Sequence, residues 1–210
     1  TASTAGSYTN TLAAGSVTSA NGGASANPAS ASLSVFARPT VTKAFGLASM
    51  AQGGTTTLAI TVANANATPL AGLAFTDLFP IAPGPMTLAN GTSTNTCGGT
   101  LTNTAAGALG IGDVGIVLAG GTVPAGGTCT VTVNVTASTA GNHTNTLAAG
   151  SVSTTSGGTN TAPASATLAV LLPPTVAKAF APVSIFPDGT SVLTVTLANP
   201  NATAITGAAF

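Results

Sequence analysis

The sequence predicts an all-β protein built from tandem antiparallel β-sandwich units. Thr and Val, which favour strands, recur along the chain, and 26 glycines and 13 prolines interrupt them. No stretch keeps apolar residues at the spacing of an amphipathic helix, so helices should be few. The chain also repeats itself, because residues 1–17 return at 136–152 almost unchanged. These three observations set the fold class and the unit on which the fold is built.

The repeat has a period of 135 residues and divides the chain into three parts. The same offset joins the two lysines (178 − 43 = 135), and the register holds without insertion up to Phe210. We therefore expect residues 1–35 to be the C-terminal part of one unit, 39–170 a complete unit, and 174–210 the N-terminal part of the next. Each joint is short and contains proline, which stiffens the passage from one unit to the next.

Alternation of apolar and polar residues predicts the strands of the complete unit and the face that each strand turns inward. Pairs of glycines mark the turns between them. The residues predicted to face the core are Leu58, Ile60 and Val62; Phe75, Asp77 and Phe79; Ile116 and Leu118; Cys129, Val131, Val133 and Val135; His143, Asn145 and Leu147; and Ala164, Ala166, Leu168 and Val170.

Charge is scarce, and this excludes several classes of function. Charged residues make up 3% of the chain, its net charge is zero and Lys and Arg together number 3. A basic groove for nucleic acid and electrostatic docking to a membrane are therefore not expected. No apolar run is long enough for a transmembrane helix, and no signal peptide is visible. A neutral surface of hydroxyl and small residues favours association with copies of itself, or else is solubilised by its hydroxyls or by attached sugars.

Three polar residues interrupt the predicted core faces. Lys43 lies between Val41 and Phe45, Asp77 between Phe75 and Phe79, and Asn145 precedes Leu147 on its face. Burial favours the neutral lysine amine, which is a nucleophile, and the protonated carboxyl, which can exchange a proton with the asparagine amide. The set therefore predicts a Lys43–Asn145 isopeptide bond, formed once with loss of ammonia. The equivalents in the partial units are Asn10 and Lys178.

Two other interpretations of Lys43 remain open from the residues alone. The first is a buried Lys43–Asp77 ion pair with Asn145 as a hydrogen-bond partner, although such pairs stabilise a fold less than apolar residues do. The second places Lys43 at a sandwich edge, with its amine reaching solvent.

The two cysteines, Cys97 and Cys129, predict a disulfide within the complete unit, with free buried thiols as the alternative. Metal binding is not expected, since His143 is the single histidine, and its slot holds Tyr8 in the preceding unit. With one histidine and no glutamate, the chain offers no set of catalytic residues for turnover, and we expect neither an enzyme nor a cofactor.

The remaining polar residues have structural interpretations. Asp113 and Asp188 are expected in turns, and Arg38 in an exposed joint. Five asparagines fit the N-glycosylation pattern, although chance matches are expected in a chain rich in Thr and Asn: Asn66, Asn90, Asn134, Asn142 and Asn201.

Three short motifs resemble those of the conserved repeats, long labelled as a domain of unknown function, of bacterial cell-surface proteins. They are an opening Pro39–Phe45, a middle Phe75-Thr76-Asp77 and a late His143–Thr146, which is Tyr8–Thr11 in the preceding unit. The resemblance implies an Ig-like sandwich in a large extracellular protein. The lysine, acid and asparagine are also similar to those of Gram-positive pilin and adhesin domains with internal isopeptides. Here, however, residues 164–170 follow the asparagine strand, so a crosslink would leave the last strand outside the covalent loop.

Repeats, stiff joints, internal crosslinks and a neutral surface together favour a structural role. We expect a non-enzymatic repeat of an extracellular fibre, stalk or sheath, with neighbouring repeats or copies of itself as partners. The alternative is the stalk of a surface adhesin whose binding domain lies outside these residues.

Overall fold

The computed structural model describes residues 1–209; Phe210, the last residue of the predicted third unit, lies outside the described residues. The described chain contains strands and no helix. The strands are β1 (Gly6–Leu12), β2 (Thr18–Ser19), β3 (Gly23–Ala24), β4 (Ala29–Val35), β5 (Thr40–Phe45), β6 (Ser49–Ala51), β7 (Thr55–Ala63), β8 (Leu70–Leu78), β9 (Met86–Asn95), β10 (Thr100–Asn103), β11 (Gly115–Val123), β12 (Thr128–Ala137), β13 (Gly141–Leu147), β14 (Val152–Thr154), β15 (Gly158–Thr159), β16 (Ala164–Leu171), β17 (Thr175–Ala181) and β18 (Val192–Ala198).

Three sheets form the region between Thr40 and Leu171. Their strand orders are β5-β7-β12-β9, β10-β11-β8-β14-β15 and β13-β16-β6. The inward faces of these sheets contribute to one buried apolar cluster, which runs from Met50 to Val170. The predicted all-β sandwich is confirmed. Its pairing is antiparallel apart from β6, which lies parallel to β16.

Strand alternation predicted the core-facing residues well. On β7, Leu58, Ile60 and Val62 are at most 1% exposed, while Thr55 and Thr57 on the opposite face are exposed. Val131, Val133 and Val135 on β12 are equally buried, so the two paired strands present a continuous apolar surface. Ala166 on β16 is half-buried rather than buried.

The flanking segments fold as hairpins that copy pairings of the complete unit. Strand β1 pairs with β4 from Gly6↔Val35, and β13 pairs with β16 from Gly141↔Val170, which is the same register at the repeat offset. Likewise β17 pairs with β18 as β5 pairs with β7. The same sequence pattern therefore goes with the same strand pairing and register in each copy.

The last strand of the complete unit, β16, is held by hydrogen bonds on both sides. It pairs antiparallel with β13 over seven residues, with Ala166 opposite Asn145, and parallel with β6 through Ala169↔Ser49 to Leu171↔Ala51. The strand that a Lys43–Asn145 crosslink would leave outside the covalent loop thus lies directly beside the strand that carries Asn145.

Candidate functional site

The structure brings Lys43, Asp77 and Asn145 together at a point where the three sheets meet. Lys43 lies on β5, Asp77 on β8 and Asn145 on β13, and each strand belongs to a different sheet. The alternation of each strand turns the polar residue inward, because its neighbours two positions away also face the core. Asp77 is 0% exposed and Asn145 is 1% exposed.

The three side chains form a closed hydrogen-bonded triangle. Lys43 Nζ donates to Asp77 Oδ1 at 2.6 Å and to Asn145 Oδ1 at 2.7 Å. Asn145 Nδ2 donates to Asp77 Oδ2 at 3.0 Å. One carboxylate thus contacts both the amine and the amide nitrogen, which is the position from which a proton can be passed between them.

Burial dominates the electrostatics of the pair. The side chains of Lys43 and Asp77 have no solvent exposure. Burial lowers the pKa of the Lys43 amine, and the nearby Asp77 carboxylate opposes that shift. Burial likewise raises the pKa of Asp77 against the opposing effects of Lys43 and Asn145. Both shifts move the pair towards its neutral form, in which the amine is the nucleophile.

The geometry is compatible with the ion pair and with the isopeptide. It excludes the edge position, because the Lys43 side chain does not reach solvent. A buried ion pair and an isopeptide precursor place the same three groups in contact. Only the crosslinked product differs in mass, because it lacks one molecule of ammonia that the ion pair and the precursor both retain.

The two cysteines are joined, as predicted. Cys97 and Cys129 form a disulfide across a sequence separation of 32 residues. Cys129 lies on β12, and Cys97 lies between β9 and β10, where the chain passes from one sheet to another. Thr122 N donates to Cys97 O at 2.7 Å, so the crossover contacts β11 as well. The disulfide therefore fixes the passage between two sheets.

The equivalent residues of the flanking segments lie on the matching strands but in open surroundings. Asn10 lies on β1 and Lys178 on β17, and both are exposed. Asn10 faces Ala31 just as Asn145 faces Ala166. Among residues 1–209, no carboxylate contacts either residue.

The position of His143 in the repeat holds an aromatic ring that donates one hydrogen bond to a backbone carbonyl. Its Nε2 lies 2.8 Å from Thr139 O, and Tyr8 Oη donates to Thr4 O at 2.9 Å, which is the same contact one repeat earlier. Nδ1 of His143 is buried and has no hydrogen-bond partner in the part of the chain that the structure describes. The slot therefore suits a tyrosine better than a histidine.

The other predicted polar residues lie in turns and joints. Asp113 Oδ2 accepts from Gly110 N at 2.7 Å, and Asp188 adopts a positive φ of 66°. Arg38 is exposed, with Nη1 3.4 Å from Thr159 O. Within residues 1–209 no group of three or more His, Cys, Asp or Glu is arranged to hold a metal ion. The same part of the chain has no helix of the length and apolarity that a membrane span needs.

Sequence reasoning missed a second polar cluster, around Asn64 and Asn66. Asn64 is 3% exposed, and its Nδ2 donates to the carbonyls of Thr68, Val123 and Pro124. One feature of the sequence could have indicated this cluster: the repeat offset brings back Asn64, Asn66, Ala67 and Thr68. The pattern suggested glycosylation instead, and Asn is too common in this chain for its repetition to stand out.

The family model described as a domain of unknown function (DUF7933) matches residues 39–170. No curated protein matches the chain. Among solved structures, a non-cellulosomal cohesin from Archaeoglobus fulgidus is 11% identical with a TM-score of 0.44, covering 63% of this chain and 92% of its own. The bacterial hydrophobin BslA is 18% identical with a TM-score of 0.41, covering 64% and 95%. A cohesin module of a family 33 glycoside hydrolase from Clostridium perfringens is 14% identical with a TM-score of 0.42, covering 65% and 98%.

Proposed function

The chain belongs to the DUF7933 domain family, and we propose that its complete unit is a non-enzymatic structural repeat of an extracellular fibre, stalk or sheath. The observation that carries the proposal is the contact of the Lys43 amine with both Asp77 and Asn145 in a site closed to solvent. A site of this kind acts once, on its own chain, and leaves a covalent brace.

The reaction exchanges one amide for another. Lys43 Nζ attacks the side-chain carbonyl carbon of Asn145, and the new C–N bond forms as the bond to Nδ2 breaks. Asp77 accepts the proton that the amine loses and donates one to the departing Nδ2, which leaves as ammonia. Asp77 ends protonated as it began, and no other reactant is needed.

The crosslink would remove the energetic cost of the buried pair. An ammonium and a carboxylate out of water stabilise a fold poorly, whereas an amide beside a protonated carboxyl carries no charge. Closing a loop of 102 residues between Lys43 and Asn145 also lowers the conformational entropy of the unfolded chain. If the chain-entropy model of disulfides is applied, this stabilises the fold by about 4.7 kcal/mol.

The crosslink would also shorten the path that a pulling force follows through the unit. The chain enters the complete unit at Pro39, close to Lys43, and leaves through β16, which is paired with the strand of Asn145. Force applied along the array would pass from β5 through the isopeptide to β13 and then into the β13–β16 ladder. Most of the core would lie outside the loaded path.

Location and partners follow from the same features. A structural disulfide is typical of oxidising, extracellular surroundings, and a chain of repeats has its neighbouring repeats as its first partners. The stalk of an adhesin would use the same module. A distinct binding domain elsewhere in the full protein would favour the adhesin, and lateral packing of units would favour the fibre.

Single-molecule pulling on the whole chain tests this function. With the isopeptide in place, the 102 residues between Lys43 and Asn145 remain inside a closed loop and add no length when the complete unit unfolds. In the Asn145→Ala variant those residues are released, apart from the 32 held by the disulfide. The difference (102 − 32 = 70 residues) lengthens the extension by roughly 240 Å.

Reduction of the disulfide supplies a matched control, because the disulfide lies inside the covalent loop. Adding reductant should leave the extension of the wild-type chain unchanged and lengthen that of Asn145→Ala by roughly 110 Å for the 32 residues released. A wild-type chain that extends as far as the variant, with and without reductant, would rule out the load-bearing brace.

A further inference from the structure

The joint that enters the complete unit is held by a side-chain amide. Ala37 N donates to Asn66 Oδ1 at 2.7 Å, and Asn66 Nδ2 donates to Ala37 O at 3.0 Å. Asn66 thus pairs with both backbone polar groups of one joint residue, as a neighbouring strand would. This contact spans 29 residues of sequence and connects the joint to the loop between β7 and β8.

Asn64 holds Asn66 in position for that contact. Asn64 Oδ1 accepts from Asn66 N at 2.9 Å and from Asn66 Nδ2 at 2.7 Å. Asn64 is itself fixed by its hydrogen bonds to three backbone carbonyls of its own unit. Both hydrogens of the Asn66 amide are therefore in use, one on the joint and one on Asn64.

The same arrangement returns at the next joint. Leu172 N donates to Asn201 Oδ1 at 2.7 Å, and Asn201 Nδ2 donates to Leu172 O at 2.9 Å. Asn199 accepts from the backbone and side chain of Asn201, at 3.0 and 2.9 Å. Ala37 and Leu172 are different residues, so the contact recognises the backbone of the joint rather than its side chain.

Two further contacts fasten the first joint on either side of Ala37. Phe36, which directly follows the last strand of the preceding segment, packs against the core of the complete unit. Pro39, at the other end of the joint, is buried. The joint is therefore held at Phe36 and Ala37 and enters the complete unit at a buried proline, while Arg38 stays exposed.

We propose that the loop at residues 64–68 is a docking site for the end of the preceding unit, and that Asn66 and Asn201 hold successive units as a stiff rod. The partner is the joint peptide of the neighbouring repeat. A glycan on Asn66 would replace one of the two amide hydrogens that are already in use, so Asn66-Ala67-Thr68 acts here as a clamp rather than as a glycan acceptor. The clamp acts independently of the crosslink.

Amide hydrogen exchange, measured by NMR on the whole chain, tests the clamp residue by residue. In the wild-type chain the amides of Ala37 and Leu172 should both be protected. Asn66→Ala should speed exchange at Ala37 by about tenfold or more and leave Leu172 unchanged, since Leu172 is held by Asn201. Asn201→Ala should do the reverse, so each variant carries its own internal control.

Thr68→Ala is the matched control for the sequence pattern. It removes the glycosylation pattern but keeps the clamp, because Thr68 contributes only its backbone carbonyl to the cluster.

The stiffness of the joint is measured with a pair of spin labels. Ser30→Cys and Thr42→Cys place the labels at exposed positions on either side of the joint. The distance distribution should broaden in Asn66→Ala and stay narrow in Thr68→Ala. An Ala37 amide that exchanges equally fast in wild type and Asn66→Ala, or an unchanged distance distribution, would overturn the proposal.

Discussion

Lys43 and Lys178 occupy the same position in two copies of one hairpin, yet only Lys43 is buried. Lys43 lies opposite Ile60 in the β5–β7 pair, and Lys178 lies opposite Val195 in the β17–β18 pair, in matching register. Lys43 has a fully buried side chain, and Lys178 is exposed. The hairpin alone therefore presents the lysine but does not desolvate it.

The difference shows where the chemistry of the site comes from. Strands β8 and β13, from two other sheets, bring the carboxyl and the amide to Lys43 and exclude water from all three. The altered pKa values of Lys43 and Asp77 are consequences of that closure. Burial of the lysine in this motif therefore depends on strands from the whole unit, so we expect the proposed crosslink to form only in folded units.

The largest effect should come from Asp77→Ala, which removes the residue proposed to carry the proton at the Lys43 site. The variant should lose the crosslink, worth about 4.7 kcal/mol for a loop of this length, and leave a buried amine without its partner, at a further cost of about 3–5 kcal/mol. Urea unfolding measures the loss. Lys178→Met, the matched change in the exposed hairpin, should alter stability by less than about 0.5 kcal/mol. Equal losses of stability in the two variants would contradict the view that burial gives the Lys43 site its role.

Removing the disulfide should have the next largest effect. Cys97→Ala with Cys129→Ala opens a loop of 32 residues, which the chain-entropy model values at about 3–4 kcal/mol. That loss should be smaller than the loss caused by Asn145→Ala, since the proposed isopeptide would close the longer loop. Denaturant midpoints of the two variants give the comparison. A larger loss for the cysteine variant would mean that no crosslink joins Lys43 to Asn145.

Lys43→Met should make stability depend on pH. Without the lysine, burial still raises the pKa of Asp77, so the folded chain keeps a proton that the unfolded chain releases. The free energy of unfolding should therefore fall as pH rises above the ordinary carboxyl value of 3.8, by about 1.4 kcal/mol per pH unit, until the raised pKa of the folded state is passed. Unfolding at a series of pH values measures the slope. Adding Asp77→Leu to Lys43→Met should abolish it, and a slope that survives the second change would assign it to another group.

His143→Tyr should have the smallest effect, and a stabilising one. Tyrosine makes the same hydrogen bond in the preceding segment and has no second ring nitrogen to bury, so we expect a gain of about 1 kcal/mol from removing the unpaired Nδ1. Thermal unfolding of the variant checks this. A loss of stability would show that the slot around His143 differs from that around Tyr8.

Much of the site could be predicted from strand alternation, and the joints could not. The two-residue period of a strand determines which face of the sheet each residue occupies, so the sequence alone predicts that Lys43, Asp77 and Asn145 face the core. It does not state which strands become neighbours, and the parallel contact of β6 with β16 has no sequence pattern of its own. The Asn66 clamp lies in a loop, where its hydrogen bonds depend on the path of a joint 29 residues away.

The intact mass of the denatured, unreduced chain distinguishes an isopeptide from an ion pair. With the isopeptide and the disulfide formed, the mass should lie below that of the sequence by one ammonia and two hydrogens, and proteolysis should yield Lys43 and Asn145 in one branched peptide. The ammonia deficit should be absent in Asp77→Ala and in Lys43→Arg. A folded wild-type chain that lacks only the two hydrogens would show that Lys43 and Asp77 form an ion pair and that no isopeptide is made.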